Sequence, residues 1–300
     1  MKVRIGYGLG TRTDLHGPSF RSVVDALEDL GFDSLWLSER ISGEAPDPIV
    51  AMAYGAGRTD HLKFGMSVLV LPGRNPVVLA KELATLGTMS GGRLLPAFGL
   101  GVVDPVEQQA FGVERRERAP LFDEALEVMR KCWTGEPFDH AGERFRYDGV
   151  RVRPAPARMD VWLGGAAPSE LRRVGRLADG WLPSFTTPED AAAGRATIEA
   201  VCAEHDRTIE DDHYGVLIPY CLGELPDTII AVLAKRRPDL DDPRRIVPTS
   251  WEELADLIER FVAVGTSKFV VLPVHEPGDA DGWTRHLGEA AEVLVPLERN

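Results

Sequence analysis

Residues 61–101 have the sequence HLKFGMSVLVLPGRNPVVLAKELATLGTMSGGRLLPAFGLG, and this stretch decides the fold because it contains one complete strand, helix and strand. The run LKFGMSVLVL is almost continuously apolar, which is typical of a strand buried on both faces. PGRNP predicts a turn, and the apolar spacing in PVVLAKELATLGTM predicts a helix that ends at Gly91 and Gly92. RLLPAFGLG is predicted as the next strand, with Pro96 at its end or near a bulge. The stretch therefore predicts two parallel strands joined by a helix.

The same alternation of strand and helix continues on both sides of this unit. Strands are predicted near residues 3, 33, 63, 93, 160, 180, 214 and 268, with helical patterns between them. Residues 135–158 interrupt the rhythm with Gly, Pro and β-type alternation, so we predict an excursion that carries a small hairpin after the fourth helix. Eight strands are what a (β/α)8 barrel requires. We therefore predict a single α/β TIM-barrel domain over residues 1–300.

Composition excludes several classes of partner. The formal net charge is -13 and the isoelectric point is near 5.1, which disfavours binding to nucleic acid or to an anionic membrane surface. No apolar run approaches the roughly 20 residues that span a bilayer. The three cysteines, Cys132, Cys202 and Cys221, form no CxxC pair, and no secretory signal begins the chain. We expect a soluble cytoplasmic protein without disulfides.

The motifs also disfavour two common classes of barrel hydrolase. No HxH or HExxH set occurs among the histidines, which lie at positions 16, 61, 140, 205, 213, 275 and 286, so no metal site is predicted. No GxSxG elbow occurs either, which leaves nucleophilic hydrolysis without support.

In a barrel of this kind, the active site forms at the C-terminal ends of the strands and in the loops that follow them. This rule nominates residues 7–12, 38–40, 67–71, 99–104, 164–169, 184–186, 219–222 and 273–275.

Two of these segments have both a functional and a structural interpretation. Gly164, Gly165 and Ser169 lie between a strand and a helix N-terminus, where free amide groups favour a phosphate; alternatively, the glycines make only a tight turn. Glu39 and Arg40 end the second strand, where they either contact a substrate or cofactor or form a salt bridge at the rim of the barrel.

Four segments together resemble the luciferase-like monooxygenase family of flavin and deazaflavin enzymes, especially its F420-dependent oxidoreductase branch. They are GFDSLWLSER (31–40), residues 71–101, RAPLFDEALEVMRKCWTGEPFDHAGERF (118–145) and VWLGGAAPSELRRVGRLADGW (161–181). Each segment is weak alone, but their order along the chain is specific.

The resemblance implies a cofactor, which is coenzyme F420 or alternatively FMN, with its ring in the barrel mouth. A non-prolyl cis peptide at Ser67-Val68 would lie behind the ring, and the phosphate would lie at the glycine turn of residues 164–169. The implied cofactor-binding residues are Ser67, Val68, Gly99, Gly101, Gly164, Gly165, Ala166 and Ser169. The resemblance also implies a homodimer packed through the helices after the second and third strands.

Two departures from the family pattern bear on the reaction. Relatives that oxidise sugar phosphates carry a histidine and a glutamate where this sequence has Arg40 and Val102. Arginine stays charged and cannot act as a general base at neutral pH, so that alcohol oxidation is disfavoured. Arg40 could instead orient an anionic or carbonyl substrate. It could also belong to an enzyme in which a reduced cofactor reduces the substrate.

The sequence thus predicts an F420-dependent oxidoreductase that transfers a hydride between the deazaflavin and a small organic substrate. Two alternatives stay open, namely an FMN-dependent monooxygenase and a barrel that binds a flavin or metabolite without turnover.

Overall fold

Eight parallel strands form the wall of a barrel in the computed structural model, which describes residues 1–15 and 17–300. Their bounds are β1 (Arg4–Leu9), β2 (Ser34–Leu37), β3 (Lys63–Met66 and Leu69–Val70), β4 (Leu94–Leu95 and Ala97–Gly99), β5 (Trp162–Leu163), β6 (Gly180–Trp181), β7 (Gly215–Tyr220) and β8 (Lys268–Pro273). His16, one of the seven histidines considered above, lies outside the described residues.

Hydrogen-bonded pairing follows the chain around the barrel and then closes it. Each strand from β1 to β5 pairs with the next, and β8 pairs with both β7 and β1. Parallel bridges from Trp181 to Tyr214 and from Ser184 to Leu217 connect the β6 region to β7. The predicted (β/α)8 barrel is therefore confirmed.

Helices cover the outside of the barrel. Their bounds are α1 (Gly17–Asp29), α2 (Pro48–Ala56), α3 (Pro76–Met89), α4 (Pro105–Phe111), α5 (Arg118–Trp133), α6 (Pro168–Leu177), α7 (Pro188–Glu204), α8 (Asp227–Arg236), α9 (Trp251–Ala263) and α10 (Ala280–Leu294). In the two described ranges, no helix has both the length and the apolar character needed to cross a bilayer.

Both strands of the opening stretch are interrupted, one at the cis peptide that the family resemblance implies and one at Pro96. The peptide bond between Ser67 and Val68 is cis, and it lies between the two segments of β3. Pro96 separates the two segments of β4, because proline has no N–H to donate to a neighbouring strand. The predicted excursion is also confirmed, since Phe138–Ala141 and Arg146–Val150 form an antiparallel hairpin between α5 and β5.

Two tryptophans fill the barrel interior. Trp36 on β2 and Trp162 on β5 meet edge to face with their ring centroids 6.5 Å apart. Glycines on neighbouring strands make room for them: a Cβ on Gly65 would lie 2.5 Å from the Trp36 ring, and Gly180 has no space for a Cβ beside Trp162. The interior core thus depends on strand glycines, whereas a separate, larger apolar core lies between the strands and the helices.

A buried polar cluster supports Trp36 at the N-terminal end of the barrel. The indole Nε1 donates to Ser34 Oγ at 2.8 Å, and Lys268 Nζ donates to the same oxygen at 2.7 Å. Lys268 also forms an ion pair with Asp33. Burial would raise the pKa of the Asp33 carboxyl, but Lys268 and Lys63 hold that pKa well below its ordinary value. This end of the barrel is closed by satisfied polar groups.

The packing of Trp36 predicts that Gly65→Ala destabilises the protein. The added Cβ meets an indole that neighbouring side chains hold in place, so we expect the free energy of unfolding to fall by about 1–3 kcal/mol. Urea unfolding followed by tryptophan fluorescence measures the change. Gly288→Ala in α10 is the matched control, since nothing lies within 4 Å of its added Cβ. That variant should be as stable as the parent or more stable. Equal stability of the two variants would contradict the packing argument.

Candidate active site

A cavity of about 1110 Å³ opens at the C-terminal ends of the strands. Eight of the sequence-predicted site residues line it: Glu39, Ser67, Val68, Gly99, Gly101, Gly164, Gly165 and Ala166. Arg40 and Ser169 do not line it, and neither do residues 219–222 and 273–275 of the nominated segments. The structure therefore brings most of the predicted residues together at one site.

Val68 and two glycines form one wall of the cavity. The Val68 side chain leaves no room for a Cβ on Gly99, and its Cγ1 lies 3.8 Å from where a Cβ on Gly164 would be. Ser38 Oγ lies 3.2 Å from Ser67 Oγ and 3.3 Å from the Ser67 carbonyl oxygen, so β2 and β3 are joined beside this wall. The two glycines make room for the Val68 side chain, and all three residues line the cavity.

Glu39 forms a buried ion pair at the mouth with Arg74. The exposed fractions of the two side chains are 2% and 22%. The Glu39 carboxylate also accepts from the Val70 N–H at 2.7 Å, while Arg74 Nε donates to the Val70 carbonyl oxygen at 2.9 Å. Burial raises the pKa of the Glu39 carboxyl, although Arg74 opposes the shift. Glu39 thus joins the end of β2 to the turn after β3. Its carboxylate lines the cavity but is already bound to Arg74 and to the Val70 N–H.

Arg40 connects the loop after β2 to α4. Its Nη2 lies 2.8 Å from Asp104 Oδ2. The Glu107 carboxylate accepts from Ser42 N at 3.0 Å, from Ser42 Oγ at 2.7 Å and from Ile41 N at 3.2 Å. Burial would raise the pKa of Glu107, but these hydrogen bonds hold it below its ordinary value. The charged groups at this rim hold two loops together.

The predicted phosphate turn is occupied by a side chain of the protein itself. Gly165 has φ +91°, and the N–H groups of Ala166 and Ala167 donate to Glu170 Oε2 at 3.0 and 2.9 Å. Ser169 is exposed on the first turn of α6. Sequence reasoning missed Glu170, although a glutamate at the third helical position is a known signal for capping.

Another wall combines residues 185 and 186 of a nominated segment with two arginines, Arg236 and Arg237, that sequence reasoning missed. Phe185 has φ +58°, which is uncommon for an aromatic residue. The Arg236 guanidinium stacks 4.2 Å from its ring centroid, and Arg237 donates to its carbonyl oxygen at 2.7 Å. Within the described residues, Arg236 has no carboxylate at ion-pair distance, and the buried Thr186 Oγ1 has no hydrogen-bond partner. In the sequence, these arginines are recognisable only as basic residues at the C-terminal end of a predicted helix.

Among the described residues, one group of three side chains has the spacing of metal ligands, namely Glu210, Asp212 and His213. None of them lines the cavity. Asp212 is 3.0 Å from Lys2 Nζ, and His213 Nδ1 is 2.7 Å from the Asp179 carbonyl oxygen. These contacts account for the group without a metal ion.

Comparison with known proteins gives the chain a family. The family model described as luciferase-like monooxygenase matches residues 5–270. An F420-dependent glucose-6-phosphate dehydrogenase of Kineococcus radiotolerans is 28% identical to this chain. The alignment covers 99% of this chain and 97% of that protein. A protein of the same name from Nakamurella multipartita is 30% identical, but the match spans only 56% of its length and 59% of this chain. A solved monooxygenase from Streptomyces bottropensis has the same fold, with a TM-score of 0.79 at 20% identity over 98% of this chain and 99% of that chain.

The buried ion pair predicts a pH-dependent loss of stability in Arg74→Met. Without the guanidinium, the pKa of Glu39 rises further, so the folded state binds a proton more readily than the unfolded chain does. Stability at this site is then retained at low pH and lost as the pH rises through the folded-state pKa. We expect the free energy of unfolding to fall by about 3 kcal/mol at pH 8 and by less at pH 5, as measured by urea unfolding.

Arg58→Met is the matched control, because the Arg58 and Asp25 side chains form an ion pair while 33% and 40% exposed. It should cause only a small change that is the same at both pH values. A loss in Arg74→Met that does not depend on pH would show that Glu39 is not the group affected.

Proposed function

The chain belongs to the luciferase-like monooxygenase family, and from this premise we propose that it is an F420-dependent oxidoreductase acting on a small organic substrate. The observation that carries the proposal is the cavity wall that the Val68 side chain forms beside Gly99 and Gly164. The alignment along almost the whole chain with a protein named F420-dependent glucose-6-phosphate dehydrogenase supports it.

The residues of the cavity fit a tricyclic deazaflavin. Small-molecule sites have volumes of roughly 300–1,000 Å³, and the volume here, about 1110 Å³, has room for a ring system and a substrate together. Val68 would support one face of the ring, since its side chain and its backbone form the wall. Gly99 makes room for that Val68 side chain, Gly101 and Gly164 line the cavity beside it, and the turn at residues 164–167 would face the phosphate. Ser169 would reach that phosphate only by turning inward from the surface.

When it is bound, the deazaflavin supplies the hydride chemistry. The chain itself would bind and orient both reactants. Glu39 is bound to Arg74, and Glu107 is satisfied by Ser42, so neither is free to transfer a proton. Arg40 would contact a substrate only after leaving Asp104. These contacts support a reaction that needs no acid and base pair at the positions of Arg40 and Val102.

Arg236 is the residue we propose to balance an anionic group of a ligand in the cavity. It lines the cavity, stacks on Phe185 and lacks a carboxylate partner within the described residues. Permanent charge suits arginine to this task, because a guanidinium stays protonated at every physiological pH.

Thermal unfolding with coenzyme F420, with FMN and with neither tests the proposed cofactor. A ligand that binds only the native state at about a hundred times its Kd stabilises that state by about 2.7 kcal/mol, so F420 should raise the midpoint. Loss of deazaflavin absorbance with a panel of alcohols, and its recovery with a panel of carbonyl compounds, then tests hydride transfer. A shift with FMN alone would overturn the proposal, and a shift without any turnover would favour a binding protein.

Gly164→Val and Gly278→Val provide a matched pair for this experiment. At Gly164 the nearest atom to an added Cβ is 3.4 Å away, so a side chain fits but enters the cavity. At Gly278 nothing lies within 4 Å, and that position does not line the cavity. Only Gly164→Val should abolish the shift that F420 causes.

We further propose a homodimer that forms through α2 and α3. Four apolar side chains on these helices are exposed: Val50 (68%), Tyr54 (42%), Val78 (54%) and Met89 (82%). The two helices are adjacent, and we propose that these side chains form one apolar surface. Apolar surface of this kind favours association.

The double variant Val50→Glu and Val78→Glu should convert the dimer into a monomer, because it places charges in the apolar surface. Light scattering coupled to size exclusion measures the mass. Val232→Glu on α8 is the control, since Val232 is 56% exposed but lies on a different helix. A monomeric parent, or a double variant that stays dimeric, would contradict the proposed surface.

A cytoplasmic setting is also part of the proposal. Cys132, Cys202 and Cys221 are all free and buried. Burial raises the pKa of the Cys132 thiol to about 11, so that thiol stays protonated. Buried free thiols suit a reducing compartment.

A further inference from the structure

The turn at residues 164–167 contains an anion site that the protein already occupies with its own carboxylate. Two consecutive N–H groups, those of Ala166 and Ala167, converge on Glu170 Oε2 at 3.0 and 2.9 Å. Gly165 allows this approach, because a Cβ there would lie 2.5 Å from the Glu170 carboxyl carbon. Gly165, Ala166, Ala167 and Glu170 all line the large cavity.

Glu170 does the work of a helix cap in this turn. Ala167 is the N-cap of α6, and its methyl side chain cannot accept a hydrogen bond. The Glu170 carboxylate accepts from the N–H of Ala167 and of Ala166 before it, close to the helix N-terminus, where the helix dipole also favours a negative charge. An external anion at this turn would need the same two donors.

We propose that Glu170 is a built-in competitor for the anionic arm of the cofactor, and that its carboxylate must leave Ala166 and Ala167 when that arm binds. The inference rests on the proposed function, because the family resemblance directs the cofactor phosphate to this turn. Two anions do not share the same pair of N–H donors, since like charges at hydrogen-bond distance repel each other. Glu170 thus sets how much affinity the phosphate adds to that of the ring.

The displaced carboxylate has space and a cation nearby. A second cavity of about 110 Å³ is adjacent to the turn, and Gly165, Glu170 and Arg173 line it. Arg173 lies three residues after Glu170 on α6, a spacing at which helix side chains are neighbours. Its Nε now donates to Asp123 Oδ1 at 2.8 Å. Glu170 can therefore exchange its amide partners for the edge of this guanidinium.

The competition predicts a specific pattern of affinities. In the parent protein, the phosphate arm should add little, so coenzyme F420 and the deazaflavin chromophore that lacks the phosphate arm should bind with similar Kd values. In Glu170→Ala, the Kd for F420 should fall at least tenfold, whereas the Kd for the phosphate-free chromophore should change less than twofold. Glu170→Gln keeps an acceptor but loses the charge, so it should give an intermediate Kd for F420. Fluorescence titration measures all three.

Glu253→Ala is the matched control for both charge and capping. The Glu253 carboxylate accepts from Thr249 N at 2.7 Å at the start of α9, and it does not line the cavity. This variant loses one negative charge and one carboxylate contact before a helix N-terminus, as Glu170→Ala does, while Ser250 Oγ still accepts from the backbone N–H of residue 253. Its Kd for F420 should equal that of the parent.

Inorganic phosphate separates this inference from the proposed function. Potassium phosphate, compared with potassium chloride at equal ionic strength, should raise the thermal midpoint of Glu170→Ala more than that of the parent or of Glu253→Ala. If phosphate does so while no variant binds the deazaflavin, the cofactor assignment fails and the competitor role stands. Equal phosphate effects in all variants, or an F420 Kd that is unchanged or higher in Glu170→Ala, would overturn the competitor role.

Discussion

The edge-to-face contact between Trp36 and Trp162 is the constraint on which the barrel depends. The two indoles come from β2 and β5 and pack in the interior of the barrel that the eight strands enclose. Bulky rings can meet there only because glycines on adjacent strands leave room for them. Below them, Ser34 and Lys268 satisfy the Trp36 N–H and the buried carboxylate of Asp33. A filled interior leaves the opposite end of the barrel as the place where a cavity can open.

At that end, most of the charge serves to position loops. Glu39 joins the turn after β3 through Arg74 and Val70, and Arg40 joins α4 through Asp104. Groups that form such contacts are poor candidates for proton transfer, because each would have to leave its partner first. The site therefore suits a reaction whose chemistry belongs to a bound cofactor. The protein contributes a wall formed by Val68, Gly99 and Gly164 and a mouth whose loops are joined by these contacts.

The turn before α6 shows how one residue can serve both stability and binding. Glu170 caps the helix when no ligand is present, and the same contact occupies the amides that a phosphate would use. A serine or threonine at position 167 could cap the helix without reaching those donors. Alanine is found there, and the longer, charged side chain of Glu170, which lines the cavity, accepts from Ala166 N and Ala167 N.

Local pattern in the sequence determined the elements of the fold and part of the site. The apolar runs and their spacing predicted eight strands, the hairpin between residues 135 and 158 and the interruption at Pro96, because burial imposes periods of two and 3.6 residues on any chain. The position of the cis bond at Ser67-Val68 was implied by the resemblance of four sequence segments to the luciferase-like monooxygenase family.

Only the tertiary structure decided where individual side chains point. Arg40 turns to Asp104, Ser169 faces solvent, Glu170 enters the turn and Arg236 reaches the mouth from α8. These directions depend on contacts between loops that are far apart in the sequence, and no periodicity records such contacts. The sequence by itself therefore determined the barrel and the region of its site, and packing between distant loops decided which charges are free to meet a ligand.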